Sequence, residues 1–226
     1  MLLKAIRCQI SPEEQAKFAE GQQRWAALAE LPGFISQQGG WNDNDAWVFG
    51  WWQDWQHYSA FMAEQHDPIY AQTQQAASIQ KSEISFWQSL PSAQLDRTRN
   101  LCADGQAHVI LIEMLQLAPG AWADFDDFLK WRWRPGLAGA AGLATAQICQ
   151  HRKLPGKYLA CSRWLASADP VGMGRLLQPG FKLPHRRTQL FKSLAQSKIR
   201  IEPDWQVDAT RPMPDSQKSV PPFELD

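Results

Sequence analysis

Apolar positions alternate along the first ten residues. Leu2, Ile6, Cys8 and Ile10 share one face and Leu3 and Ala5 the other, which predicts a strand apolar on both sides. Ser11-Pro12-Glu13-Glu14 predicts a helix start, with Ser at the N-cap, Pro at the first position and Glu14 placed to close a capping box. Phe18, Gly21, Trp25 and Leu28 then form a helical seam that ends at Leu31-Pro32-Gly33. Phe34–Trp41 and Ala46–Trp52 predict a hairpin across Asn42-Asp43-Asn44-Asp45. Trp47, Phe49 and Trp51 point one way and Val48 and Trp52 the other, so the sheet is expected to be covered on both faces. Asp54 predicts the cap of a second helix with Trp55, Tyr58, Phe61 and Met62 inward, and Pro68 predicts its end. Ile79–Trp87 predicts a fourth strand. The order β-α-β-β-α-β is a ferredoxin-like unit.

The same order recurs downstream. His108–Leu117 predicts a strand, followed after Pro119 by a helix with Trp122, Phe125 and Leu129 inward. Leu143–Gln150 and Lys157–Leu165 predict a hairpin, a helix near Ser167–Pro170 contains Met173 and Leu176, and Ile199–Val207 predicts a last strand. An additional short helix is expected around Leu190, Phe191 and Leu194. Individual residues match in order: Pro12 with Pro119 and Phe18 with Phe125 at an offset of 107, Gly33 with Gly142 at 109, and Trp52 with Trp164 at 112. The offset grows only across loops, and the period is far too long for a solenoid. The expected organisation is one domain over 1–90, a linker over 91–105, a second copy over 106–208 and a Pro-rich tail over 209–226. Two fused copies imply an intramolecular version of a symmetric dimer.

Composition narrows the function. The 226 residues carry no formal net charge, which argues against nucleic acid or an anionic membrane surface as the main partner. The start MLLKAIRCQIS turns polar too soon for a signal peptide, and no apolar run is long enough to span a membrane. The four cysteines form no CxxC pair, so reduced thiols and a cytoplasmic location are expected. The five histidines show no i,i+4 pair and no HExxH, and neither GxGxxG nor a P-loop occurs, so no metal and no cofactor are expected. The basic runs Lys130–Arg134 and His185-Arg186-Arg187 read as cationic helix ends. The twelve tryptophans are the outlier; they either line an aromatic cavity or fill a core.

The segments KAIRCQIS, Trp25-Ala-Ala-Leu28, LPGFISQQGGW and WQDWQHYSAFMAEQHDPIY resemble an uncharacterised bacterial family, the YdbC-like proteins, a branch of the antibiotic-biosynthesis-monooxygenase-like superfamily. The resemblance is strong over 1–90 and rests on the element pattern and the internal repeat over 106–208. It implies a dimeric α+β barrel, in which two ferredoxin-like sheets close face to face with helices outside. In this chain the two halves are expected to supply both sheets, giving an α+β fold of tandem ferredoxin-like repeats closed into a pseudo-dimeric barrel. The superfamily includes cofactor-independent monooxygenases, haem-degrading enzymes and proteins without known activity. The residues typical of haem degradation fall here on Arg7-Cys8, Phe61 and Ala71, so haem degradation is not expected.

His66-Asp67 is the candidate catalytic pair, since a His beside a carboxylate at an aromatic cavity can take a proton from a phenol. The same residues also read as a helix C-terminus followed by an Asp-Pro stop. The second copy has no equivalent pair. Trp41, Trp51 and Trp52, with Arg7, are the candidate ligand-binding residues, and Cys8 reads as a core thiol. The function expected is a cofactor-independent monooxygenase acting on a small aromatic compound. The alternative is a non-catalytic protein that binds a small hydrophobic ligand or serves assembly. Neither nucleic acid nor membrane is an expected partner, and a homodimer of the whole chain is compatible with the sequence.

Overall fold

The computed structural model describes residues 1–96, 107–177 and 190–210. The residues 97–106, 178–189 and 211–226 lie outside it, with most of the expected linker and tail and the run at His185. The first copy contains β1 (Leu2–Ile10), α1 (Gln15–Gln23), β2 (Phe34–Asn42), β3 (Asp45–Trp52), α2 (Trp55–Glu64), α3 (His66–Thr73) and β4 (Ile79–Asp96). The second contains β5 (Ala107–Leu117), α4 (Trp122–Phe128), α5 (Arg134–Ala138), β6 (Leu143–His151), β7 (Lys157–Leu165), α6 (Met173–Leu176), β8 (Phe191–Ile201) and the short β9 (Val207–Asp208).

Each copy forms an antiparallel sheet in the order β2-β3-β1-β4 or β6-β7-β5-β8. β4 pairs with β6 and β8 with β2, so the eight strands close into one barrel within the chain. The sequence offsets reappear as strand register. Leu2 faces Trp52 as Val109 faces Trp164, and Lys4 faces Gly50 as Leu111 faces Ser162. A register shift lies between Phe34 and Ser36 in one copy and between Leu143 and Thr145 in the other. Gly33 and Gly142 both have φ of +74°, a conformation that strains any residue with a Cβ. The seams match as well: Gln88 faces Gln150 and Ser89 faces Cys149, as Arg200 faces Trp41 and Ile201 faces Gly40.

The apolar faces are used as the alternation demands. Leu3, Ala5, Trp47, Phe49, Trp51 and Trp87 point into the barrel and pack with Ile110, Ile112, Leu159 and Ile199 from the other sheet. The Trp47 and Phe49 rings stack there at 5.9 Å. Outside the barrel, the second copy has one continuous core around Phe125, Phe128, Trp133 and Trp164. The first copy's outer core is split into two clusters, one around Leu2, Trp52 and Phe61 and one around Phe18, Trp41 and Trp205.

Several local expectations change. β4 continues through residues 91–96, within the stretch expected to be linker, and pairs Gln94 with Gln147. The polarity there is that of a strand with one face in solvent; Ala93 is fully buried in the second copy's core. Residue 205, at the familiar offset of 112 from Ala93, is Trp205, and it sits in the first copy's core 5.7 Å from Phe18 and 5.2 Å from Trp41. Each copy thus inserts a residue into its neighbour. Phe191 opens strand β8 rather than belonging to a short helix. The Ser11 side chain caps nothing, Pro12–Glu14 form a 3-10 turn, and the Glu14 carboxylate instead accepts from Ser78 Oγ at 2.7 Å. Trp55, Met62 and Trp122, expected inward, are exposed, because their helices are covered on one narrow face only.

Trp205→Ala should destabilise the protein by about 3–5 kcal/mol, the usual loss for a buried large aromatic. Trp131, 60% exposed, should tolerate the same change within about 0.5 kcal/mol. Denaturant unfolding of the two variants checks both values.

Candidate functional site

The split in the first copy's outer core is a cavity of about 210 Å³ between the sheet and the helices. Its floor is the outward face of the sheet: Lys4, Ile6 and Cys8 from β1, Val48, Gly50 and Trp52 from β3, and Gln37 from β2. Phe18, Gln22 and Trp25 close it from α1 and the 3-10 turn that continues it. Phe61 from α2 and His66 and Tyr70 from α3 form a further wall, and Ile79, Ser82 and Ile84 line it from β4. The chain reaches this arrangement because helix α2 breaks at Gln65 and restarts as α3 with Pro68 in its first turn, where a missing N–H costs nothing. His66 and Tyr70 then lie one helical turn apart, with rings stacked at 5.6 Å. Trp25 packs 5.8 Å from His66, and its Nε1 donates to Gln75 Oε1 at 3.2 Å. Gln75 in turn donates to the Phe18 carbonyl at 2.7 Å, which pins the wall to α1.

The polar groups of the cavity are few. His66 Nδ1 lies 2.8 Å from Asp67 Oδ1, so the adjacent residues do touch, at the start of a helix and not at the end of one. The His66 side chain is 19% exposed and that of Asp67 91%, so the carboxylate approaches the ring from solvent. Lys4 has no ion-pair partner among the described residues; its Nζ lies 5.3 Å from the Tyr58 ring centre. Burial pushes the Lys4 ammonium down to about 8 and the Cys8 thiol up to about 11. Such a thiol is a poor nucleophile, in keeping with a core cysteine. Gln22 Oε1 and Gln37 Nε2 are buried without a hydrogen-bond partner among the described residues. Among the described residues no carboxylate lines the cavity.

The second copy shows the same framework filled. The positions of Lys4, Cys8, Gln37 and Gly50 are taken in register by Leu111, Leu115, Ala146 and Ser162. Leu111, Leu115, Phe128, Leu129 and Trp133 pack there as one cluster. Glu113 replaces Ile6; it accepts from the Met173 N–H at 2.8 Å, and burial pushes its carboxyl up to about 7.

Of the residues picked out in the sequence, His66 and Trp52 meet at the cavity, with Asp67 behind His66. Trp51 has the opposite strand parity and points into the barrel. Trp41 packs against Phe18 and Trp205. Arg7, also of the opposite parity to Lys4, is bound to Asp45 at 2.6 Å near the barrel end and lies over Trp47. Lys4, Gln22 and Gln37 also line the cavity, and the sequence carries a signal for the first: Lys4 is the one charge on the strand face that carries Leu2, Ile6 and Cys8. Among the described residues no group of three or more His, Cys, Asp or Glu is placed to hold a metal, and no helix is long and apolar enough to cross a membrane.

The buried ammonium yields a pH prediction. Its folded value of about 8 lies below the ordinary 10.5, so the unfolded chain holds the extra proton between these values and stability rises with pH there. Lys4→Met should therefore stabilise the protein at neutral pH, by up to about 3 kcal/mol. The gain should shrink as pH passes from about 8 to 10.5. Denaturant midpoints of both proteins across that range provide the check.

Comparison with known proteins places this geometry. Residues 2–87 match a domain of unknown function, DUF4937. The uncharacterised protein YdbC of Bacillus subtilis (strain 168) is 32% identical over 93 residues, covering 39% of this chain and 78% of YdbC. A provisionally assigned monooxygenase from Lactobacillus acidophilus NCFM superposes with a TM-score of 0.66 at 11% identity, over 92% of this chain and 95% of its own. An anthrone oxidase-like protein superposes with a TM-score of 0.56 at 13% identity, over 93% of this chain and 94% of its own. The fold is therefore shared with these structures, with both halves of the barrel in one chain. By its sequence over the first copy, the chain belongs to the YdbC-like family.

Proposed function

We propose that the first copy's cavity binds a small planar aromatic molecule and that the protein oxygenates it with O2, without a cofactor. The observation that carries this reading is His66 on the wall of an apolar, aromatic-lined cavity. Donation of the Nδ1 proton to Asp67 leaves Nε2 as the proton acceptor. An apolar cavity of about 150 Å³ holds benzene, so about 210 Å³ suits a somewhat larger ring system. His66 takes a proton from a phenol or from an activated aromatic CH2. The resulting anion is electron-rich and is itself the reductant of O2. For a CH2 group the balance closes when carbon becomes a carbonyl, one oxygen atom enters it and the other leaves as water. An anthrone is such a compound, and the likeness to an anthrone oxidase-like fold supports it as a first substrate to try.

A second reading, binding without catalysis, is favoured by the exposure of Asp67. A carboxylate 91% in solvent is screened and holds His66 weakly.

Trp25 and Trp52 line the cavity and report binding by fluorescence. Anthrone and simple quinols should quench saturably and consume O2. His66→Ala should retain quenching and lose turnover by about 10²–10⁴-fold, the usual contribution of a general base. Saturable binding without O2 uptake selects the second reading. Full turnover in His66→Ala removes the proposed base, and no quenching by any compound overturns the site.

A further inference from the structure

The cavity floor has an unexplained feature. Lys4, Gly50 and Gln37 stand in one row across β1, β3 and β2, all facing the helices. Neighbouring strands are about 4.8 Å apart, so the two long polar side chains flank a residue that has none. A Cβ on Gly50 would meet nothing closer than Trp52 Nε1, at 3.7 Å. The indole N–H therefore lies beside the same gap, and it has no hydrogen-bond partner among the described residues. Lys4 and Trp52 can only donate, and the Gln37 amide presents a buried, unpartnered Nε2. Gln37 is 5% exposed. A buried donor without a partner, as Gln37 Nε2 is among the described residues, costs free energy in the empty site, and a ligand that satisfies it recovers that cost.

The second copy supplies an internal control. There the lysine, glutamine and glycine are Leu111, Ala146 and Ser162, and the matching indole of Trp164 donates to Ser162 Oγ at 2.8 Å. One copy satisfies its indole internally and fills the space; the other leaves its indole and the Gln37 amide beside an open gap, with Lys4 in the same row and its Nζ over the Tyr58 ring.

We propose that Lys4, Gln37 and Trp52 form an oxyanion subsite around Gly50, which takes the ionised oxygen of an aromatic ligand. This rests on the cavity being the ligand site, and it names what the ligand must carry: a phenolate, enolate or carboxylate oxygen on a ring. Gln22 Oε1, buried and unpartnered on the opposite wall, favours a ligand with a hydroxyl on its other side.

The test uses 4-nitrophenol, whose ionised form absorbs at longer wavelength, beside nitrobenzene, the same ring without the hydroxyl. The protein should bind nitrophenol at least tenfold more tightly than nitrobenzene and hold it as phenolate at a pH where the free phenol is mostly neutral. Lys4→Met should abolish the phenolate band and the preference for nitrophenol over nitrobenzene. Gly50→Ser, which has room for its Cβ and supplies the hydroxyl found in the second copy, should also weaken nitrophenolate binding. Tighter binding of 4-nitrobenzoate than of nitrophenol, again lost in Lys4→Met, assigns the oxyanion as a carboxylate. Equal binding of nitrophenol and nitrobenzene, or a bound phenol that stays neutral, overturns the subsite while the cavity stands. Binding of neither compound overturns both.

Discussion

A four-stranded ferredoxin-like sheet has two open edges, and the structure depends on how they are closed. An unpaired edge presents a row of N–H and C=O groups to any other strand. In this chain β2 and β4 of the first copy are closed by β8 and β6 of the second, with matching register at both seams. Closure explains the double-sided hydrophobicity of the strands, since one face lines a shared interior and the other carries helices. It also explains Gly40, where a side chain would strike the Arg200 carbonyl across the seam. Helix packing and the cavity are built on this ring of strands.

Much of the fold was legible because a duplicated sequence repeats its constraints. The offsets of 107, 109 and 112 are strand registers, and Gly33 and Gly142 mark one left-handed turn twice. Where the signal was local and ambiguous, the reading slipped. Leu190, Phe191 and Leu194 have helical spacing, but Phe191 begins a strand whose place is set by pairing with β5. Residues 91–96 look like a linker because only isolated positions such as Ala93 are buried. The site was half legible. His66 stood out as chemistry, whereas Trp41 and Trp51 stood out only as large aromatics, and their role in packing depends on contacts from distant segments. Lys4 was overlooked because a cation on a mostly apolar strand face gains meaning only when the space above it is known to be open.

Fusion of two copies also removes a restriction. In a homodimer every substitution occurs at both sites. Here Leu111 and Leu115 fill one cavity while Lys4 and Cys8 keep the other open, on the same backbone framework. The second copy has one continuous outer core, and the first keeps an open space lined by Lys4, Gln22 and Gln37. The two halves thus differ in how they use the same space: one fills it and the other leaves it open.

The exchange of Trp205 and Ala93 bears on how the chain is made. Phe18, part of the cavity wall, is backed by Trp205, which is encoded almost a full chain length later. Domains generally fold as they leave the ribosome, first copy first. This one cannot finish that way: until the second copy has emerged, α1 lacks its backing and the β2 edge lacks β8. Contacts of such high sequence separation form late and slowly. During synthesis the first copy therefore waits, incomplete and with an open strand edge, for the half that completes its wall.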